Sequence, residues 1–371
     1  MQRSHALRLI DQLRTSGSSS APAFELATDR YRSQAWFERE APLRALPRIA
    51  TVASAVAPGG CLPLAGGVLL VRDQAGALRA FANACRHRGT RLVASACAAK
   101  ALVCPYHGWT YDLAGRLIHV PHAEVFDGKD AGRDLRALPV VERDGLVWLA
   151  ARPATEQTPE DALAALVAEV DELLAPLATD LDALGAQDLV VFRSSVTPRR
   201  CNWNFLVEAF LDGYHLRTLH RDSIYRFFLD AASIAEPAGP HIRAITARRA
   251  LHTSPADAEP RAVVTPSLFV FPATTIVEHP DFLSILTAHA RGPEQTEFEH
   301  VMLVPAARVT EVEHWDKSWD LIEGEVFQRE DQWVCEEMQH GLDAGTETLL
   351  FGGLEHGVRW FHDAIAARLT P

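Results

Sequence analysis

The spacing of apolar and polar positions changes character twice along the chain. Residues 1–45 show mixed helical spacing with Trp36 and Phe37 as candidate anchors, and Ser16 to Ser20 predicts a loop. From about residue 46 the runs become short and are cut by turn residues, as in small antiparallel sheets. Val68 to Val71 and Leu78 to Phe81 flank Asp73-Gln74-Ala75-Gly76, predicting a hairpin. Thr110 to Leu113 and Leu117 to Val120 flank a turn at Ala114-Gly115. Pro139 to Glu142 and Leu146 to Leu149 flank Asp144-Gly145, a pair suited to two successive positive φ angles.

Composition shifts over Ala150 to Glu160. Thr158 can cap a helix, Pro159 suits its first turn and Asp161 sits three residues past the cap, so Ala162 to Leu184 reads as an amphipathic helix. Strand-like runs follow at Leu189 to Val196, Ile242 to Ala247, Leu268 to Phe271, Leu283 to Ala288 and Phe298 to Val304, with Arg291-Gly292-Pro293 turning the last pair. Trp315 to Gly341 is helical, with Gly341 as a C-terminal cap, and Gly357 to Leu369 is a final helix. The predicted class is α+β. It has a helical segment over 1–45, a small all-β domain over 46–155 and a domain with a helix-flanked antiparallel sheet over 156–371.

The 371 residues, 48% hydrophobic and 23% charged, suffice for two cores. A formal net charge of −12 argues against a nucleic-acid partner. No apolar run approaches the roughly 20 residues that span a membrane. Residues 1–20 are polar and mixed, without the core of a signal peptide, so the expected location is cytoplasmic. Cys61, Cys97, Cys201 and Cys335 read as free thiols in a reducing compartment, Cys97 being a small buried or loop thiol and not a ligand.

Candidate chemistry concentrates in two places. The first is Cys85-Arg86-His87 followed by Cys104-Pro105-Tyr106-His107, one Cys–His pair on each of two short loops. Two thiolates on one iron and two imidazoles on the other make a Rieske [2Fe-2S] centre. Zinc also accepts two Cys and two His, but its common spacings group like with like. The second is the stretch from Cys201 to His220. Glu208, Asp212 and His215 fall at i, i+4 and i+7, which a helix would put on one face. His220 lies five steps past His215, about 140° round a helix, so the helix must end or loosen there if both imidazoles share an ion. The alternative is an amphipathic helix with a solvated polar face.

Cys-Arg-His-Arg-Gly, Cys-Pro-Tyr-His-Gly-Trp and Asp212-x2-His215-x4-His220 together resemble the catalytic α subunit of Rieske non-haem iron oxygenases, the ring-hydroxylating oxygenases, over essentially the whole chain. The resemblance implies a cluster held by Cys85, His87, Cys104 and His107. It also implies a mononuclear Fe(II) held by His215, His220 and a downstream carboxylate, with Asp331 preferred over Glu330. Asp212 matches the family's bridging carboxylate, which hydrogen-bonds His215 and the neighbouring subunit's equivalent of His107, implying a homotrimer. Where the family often carries Asn after the position of Glu208, this chain has Ala209. Respiratory Rieske proteins carry a disulfide beside the cluster; here Thr90 and Tyr106 stand in those places, predicting fewer donors to sulfur and a lower potential.

The implied function is a terminal oxygenase that takes electrons from a separate reductase, with or without a ferredoxin, and uses O2 to hydroxylate or demethylate a small organic substrate. No Gly-rich dinucleotide fingerprint is present, so NAD(P)H acts through that partner. Phe205, Phe210, Tyr225, Phe227, Phe228, Phe271 and Phe282 are candidate pocket aromatics. Gln339-His340-Gly341-Leu342 and Phe361-His362 resemble the branch of quaternary-amine monooxygenases and demethylases. Aromatic-ring cis-dihydroxylation is the alternative chemistry, and a non-catalytic Rieske electron carrier is the alternative class.

Overall fold

The computed structural model describes residues 1–18, 21–150, 158–255 and 257–370. Residues 19–20 of the predicted Ser16 to Ser20 loop, and 151–157 of the composition shift, lie outside them. The chain forms two compact units, Ala45–Ala175 and Met1–Arg44 with Pro176–Pro371. The helix expected over Ala162 to Leu184 runs only Pro159–Leu174, with short separate turns after it, and groups with the β unit, so the boundary between the units falls after Ala175. Its N-terminus forms as the sequence suggests: Thr158 Oγ1 accepts the Asp161 N–H at 3.1 Å.

The β unit is built from short antiparallel strands. A five-stranded sheet runs, in spatial order, Ala137–Leu138, Leu78–Ala82, Val68–Arg72, Gly60–Leu64, Cys97–Ala98. A three-stranded sheet joins Val140–Arg143, Leu146–Leu149 and Arg48–Val52. The predicted Asp144-Gly145 turn is present, with φ of 53° and 74°. A third sheet pairs Leu102–Val103, Thr110–Tyr111 and Leu117–His119. Its hairpin is shorter than expected because Asp112 Oδ1 accepts the N–H of Ala114 and Arg116, closing the turn early. Leu69, Val71, Phe81, Trp109 and Tyr111 pack with Cys85 and Cys104 in one core cluster, so the two thiols are anchored in apolar surroundings.

In the second unit seven antiparallel strands form one sheet. They are β1 (Leu189–Arg199), β2 (Phe228–Ala238), β3 (His241–Arg248), β4 (Val264–Val270), β5 (Thr274–Glu278), β6 (Leu283–Gly292) and β7 (Gln295–Pro305). Their spatial order is β1-β7-β6-β5-β4-β3-β2, so every neighbouring pair but β1–β7 is consecutive in sequence. β2 and β5 were not anticipated. β2 carries Asp230, Glu236 and Pro237, and β5 is only five residues long, so neither gives a clear alternation.

The long helical region runs as Val312–Trp319, a π-helical stretch Asp320–Asp331, and Gln332–Asp343. Gly341 is not its cap. The helix continues past it, and Gly345, at φ 101°, supplies the left-handed position beyond. The last helix spans His356–Leu369. The segment before residue 45 packs on this unit: Phe24–Ala27 pairs with Thr348–Phe351, and Trp203 Nε1 donates to Glu40 at 2.9 Å.

Candidate metal centres

The two cysteine loops of the β unit share one hydrogen-bond scheme. Cys85 N–H donates to the Thr90 carbonyl at 2.8 Å and Gly89 N–H returns to the Cys85 carbonyl at 2.9 Å. Cys104 N–H likewise donates to the Trp109 carbonyl at 2.8 Å and Gly108 N–H to the Cys104 carbonyl at 3.0 Å. Gly89 and Gly108 occupy matching positive-φ positions, 80° and 73°, which lets each loop fold back on its cysteine.

Four donor groups meet between these loops. Cys85 and Cys104 are buried, and the His87 and His107 rings lie 4.7 Å apart. His87 stacks on Trp109 at 4.9 Å, and its buried Nδ1 has no protein partner. Burial pushes the Cys104 thiol up, but the backbone N–H groups of Tyr106 and His107 outweigh it and hold the group below its ordinary pKa. Orphaned imidazole nitrogen and a favoured thiolate are what a metal cluster with mixed ligands requires, so the residues fit the [2Fe-2S] group. A hydroxyl donor is present: Tyr111 Oη lies 3.3 Å from Cys85 Sγ and accepts the Arg86 N–H at 2.9 Å. Cys97, expected to be buried or in a loop, is exposed on a strand opposite the buried Cys61.

In the second unit the helix Trp203–Glu208 is wholly buried and is capped by Asn202, whose side chain accepts the Asn204 N–H at 2.9 Å. It stops after Glu208, so Glu208, Asp212 and His215 do not share one helical face as predicted. Past it the chain passes close to β2: a Cβ on Gly213 would sit 2.8 Å from Ser233 Oγ. Glu208 points into the core, where Oε1 accepts from Tyr31 Oη at 2.7 Å and meets His362 Nε2 at 2.7 Å. Asp212 instead reaches His215, with Oδ2 at 3.1 Å from Nδ1, while its Oδ1 accepts the Tyr214 N–H at 2.5 Å.

His215, on a single 3-10 turn, and His220 aim their Nε2 atoms at each other across 3.2 Å. Asp331, at the end of the π-helical stretch, brings Oδ1 to 3.2 Å from His220 Nε2 and 3.8 Å from His215 Nε2. One ligand atom from each of the three lies within 4.8 Å of the others. Asp331 Oδ1 is buried and has no hydrogen-bond partner. An orphaned carboxylate oxygen facing two imidazole nitrogens fits a divalent iron with open positions. Glu330 takes a different part. Its Oε2 meets His220 Nδ1 at 2.7 Å and accepts from Ser223 Oγ at 2.7 Å, so it orients the imidazole from behind. Burial pulls the His220 pKa down, but Asp331 and Glu330 outweigh it and raise it to about 9.

The three groups open onto a cavity of about 300 Å³. Its floor is one face of the sheet, including Thr246, Thr265, Ser267 and Val277, and its cover is the π-helical stretch with Ile322, Val326 and Phe327. Of the candidate aromatics, Phe210, Phe227, Phe228 and Phe282 line it. Phe205 is instead core, stacked on Tyr31 at 4.5 Å, and Phe271 is buried elsewhere; Tyr225 is not part of the wall. Phe327, Arg248 and His279 were not anticipated as lining residues, nor Glu330 and Ser223 as orienting ones. Of these only Glu330, beside Asp331, stood close enough in sequence to a candidate ligand to be weighed at all.

Comparison with known proteins gives two family matches, a Rieske [2Fe-2S] domain over residues 54–138 and the catalytic domain of a ring-hydroxylating α subunit over 186–370. The oxygenase subunit of glycine betaine monooxygenase from Chromohalobacter salexigens is 31% identical over 194 residues, 50% of this chain and 39% of that protein. Biphenyl 2,3-dioxygenase subunit alpha from Rhodococcus jostii is 34% identical over 182 residues, 47% of this chain and 37% of that protein. The chain thus spans less than half the length of the curated relatives it matches. Among solved structures, the quaternary ammonium Rieske monooxygenase CntA superposes with a TM-score of 0.77 at 20% identity, covering 95% of this chain and 96% of that one. Naphthalene 1,2-dioxygenase superposes at 0.73 and 18% identity, covering 95% and 93%.

Proposed function

Because this chain belongs to the α subunits of the Rieske-type ring-hydroxylating oxygenases, we propose that it is a terminal oxygenase that hydroxylates or demethylates a small organic substrate. The observation that carries the reading is the convergence of His215, His220 and Asp331 at the wall of an apolar cavity, in a chain that also carries the four-ligand Rieske loops. Cys85, Cys104, His87 and His107 would hold the cluster, and His215, His220 and Asp331 the mononuclear iron. When bound, the cluster supplies stored single electrons and the iron supplies O2 activation.

The chain's own residues set the conditions for that chemistry. Glu330 accepts the His220 Nδ1 proton and so keeps Nε2 free to ligate. Asp212 does the same for His215. It is only half-buried, and it is the group proposed to face the partner subunit's equivalent of His107, which is itself exposed. That contact would carry electrons between protomers of a homotrimer, with a reductase, alone or with a ferredoxin, as donor. Phe210, Phe227, Phe228, Phe282 and Phe327 exclude water and hold an apolar substrate body.

The test is iron content together with coupled O2 uptake. With a surrogate reductase, quaternary amines, methylated aromatics and aryl carboxylates are offered, and products are identified. Substrate-dependent O2 uptake with a hydroxylated or demethylated product and about three irons per chain is expected. A cis-diol product would favour the ring dihydroxylation represented by the biphenyl relative. Two irons per chain and no product would leave only an electron carrier.

A further inference from the structure

We infer that Arg248 forms a carboxylate subsite in the cavity beside His215, His220 and Asp331, and that the substrate is accordingly an anion with an apolar body. The inference rests on the reading of this cavity as the substrate pocket. Arg248 closes β3, where strand alternation puts it on the same face as Thr246, and both line the cavity. Its Nη1 donates to Thr265 Oγ1 at 3.2 Å, across the β3–β4 pairing. The rings of Phe227 and Phe228 flank the guanidinium, with centroids 5.8 and 5.5 Å from Cζ.

Among the described residues no carboxylate lies within ion-pair distance of Arg248, and the Thr265 contact is its one hydrogen bond. Burial alone shifts its pKa, downward, with no acid to offset it. The guanidinium stays charged and carries five N–H donors in a planar fork. A partly desolvated cation with one hydrogen bond from the protein and no carboxylate beside it is well placed to be completed by a ligand anion.

The other charges nearby are already committed. Asp281, which also lines the cavity, is held by His314 at 2.6 Å and Arg308 at 3.6 Å. Arg261 spends its donors on the His279 and Phe282 carbonyls at 2.5 and 2.7 Å. Arg248 is thus the uncommitted charge of the pocket wall away from the metal ligands. Thr246, Thr265 and Ser267 surround it with neutral hydroxyls and add no competing acid.

A quaternary ammonium compound lacking an anionic group would meet this cation unfavourably. A carboxylate attached to either an aromatic ring or a trimethylammonium group would satisfy the fork, with the phenylalanines receiving the remainder. The shared chemistry is the carboxylate.

The experiment is calorimetric titration of the iron-replete holoenzyme with matched probes: benzoate against benzamide, and glycine betaine against choline. In at least one pair the carboxylate should bind about 10- to 100-fold more tightly, the range of a charge-assisted bidentate contact. R248Q should bring that pair to within about threefold, and R248K should retain part of the preference because a point charge replaces the fork. Which pair responds separates an aryl carboxylate from a betaine. If R248Q does not fold, R248K against the unaltered enzyme makes the same comparison. Equal binding within both pairs, no binding of either carboxylate, or a preference that survives R248Q would each overturn the subsite. O2 uptake is read separately. A carboxylate preference without turnover keeps the subsite and removes the oxygenase reading, whereas turnover of choline or benzamide with no preference does the reverse.

Discussion

Glu330 and His220 are joined behind the candidate metal centre: the carboxylate meets Nδ1 at 2.7 Å, so the imidazole presents Nε2 to Asp331 and His215. Such outer contacts generally change metal affinity by about 10- to 100-fold. E330A should lose mononuclear iron by about that factor on dialysis against a graded chelator, and the visible spectrum of the cluster should not change. Equal retention of iron by E330A and the unaltered enzyme would show that Ser223 and packing suffice to orient the ring.

His215 faces the same candidate centre from its more exposed side, being part-exposed where His220 and Asp331 are buried. H215A should lower iron from about three to about two per chain and abolish product formation, while the cluster's colour persists. Iron analysis with an optical spectrum checks both. Continued product formation would mean that the ion sits elsewhere.

Asp212 touches His215 through one oxygen and the Tyr214 N–H through the other. D212A should retain all three irons yet reduce steady-state turnover by roughly 100-fold or more, by analogy with removal of one obligatory polar group. A single-turnover experiment distinguishes the cause. The pre-reduced cluster should stay reduced in D212A when substrate and O2 are added, whereas a merely misplaced His215 would lose iron instead.

Tyr111 offers its hydroxyl to Cys85 Sγ at 3.3 Å, a donor that the argument from Thr90 and Tyr106 alone did not include. Hydrogen bonds to cluster sulfur stabilise the reduced, more negative state and raise the potential. Redox titration should place the native cluster toward the lower end of the Rieske range, near about −150 mV, and Y111F should fall below it by tens of millivolts. A native value at the respiratory, high end would contradict the expectation.

His279 is half-buried at the cavity wall, and desolvation, together with His300, Arg261 and Arg248, holds its pKa well below 6.5. Its Nε2 meets Ser284 Oγ at 3.1 Å, and its ring stacks on Phe282 at 4.1 Å. The folded-state value is depressed, so below about pH 6.5 the unfolded chain binds a proton that the folded chain does not. Stability should therefore be complete above that pH and fall as the pH drops. The thermal midpoint should decline between pH 7 and pH 5, and H279Q should show a shallower slope while being less stable at pH 7 by roughly 1–3 kcal/mol. An unchanged slope would assign the acid sensitivity to other buried histidines.

The candidate Rieske loops were legible in the sequence because donor groups on tight loops are local. Cys85 with His87, and Cys104 with His107, are fixed by loops that close within six residues through the same two backbone hydrogen bonds. The Asp144-Gly145 turn and the Thr158 cap are equally local. The position of Asp331 was reached through the resemblance and not through any pattern around it, since nothing nearby marks one acid of a helix as a ligand.

Tertiary structure decided the rest. Glu208 and Asp212 were expected on one face, but a helix that ends after Glu208 and a close pass of Gly213 against Ser233 send one carboxylate into the core and the other to His215. The choice between Glu330 and Asp331 as the oxygen facing two nitrogens turned on which side of His220 each one meets, a contact across 110 residues. The strand pair Phe24–Ala27 with Thr348–Phe351 joins segments more than 300 residues apart. Arg248 is singled out only because strands and helices distant in sequence meet around one cavity and, among the described residues, leave no carboxylate within ion-pair distance of it. Short-range hydrogen bonding is written in adjacent residues. Which charges end up paired, buried or left facing a cavity depends on distant segments meeting, and no stretch of sequence carries that by itself.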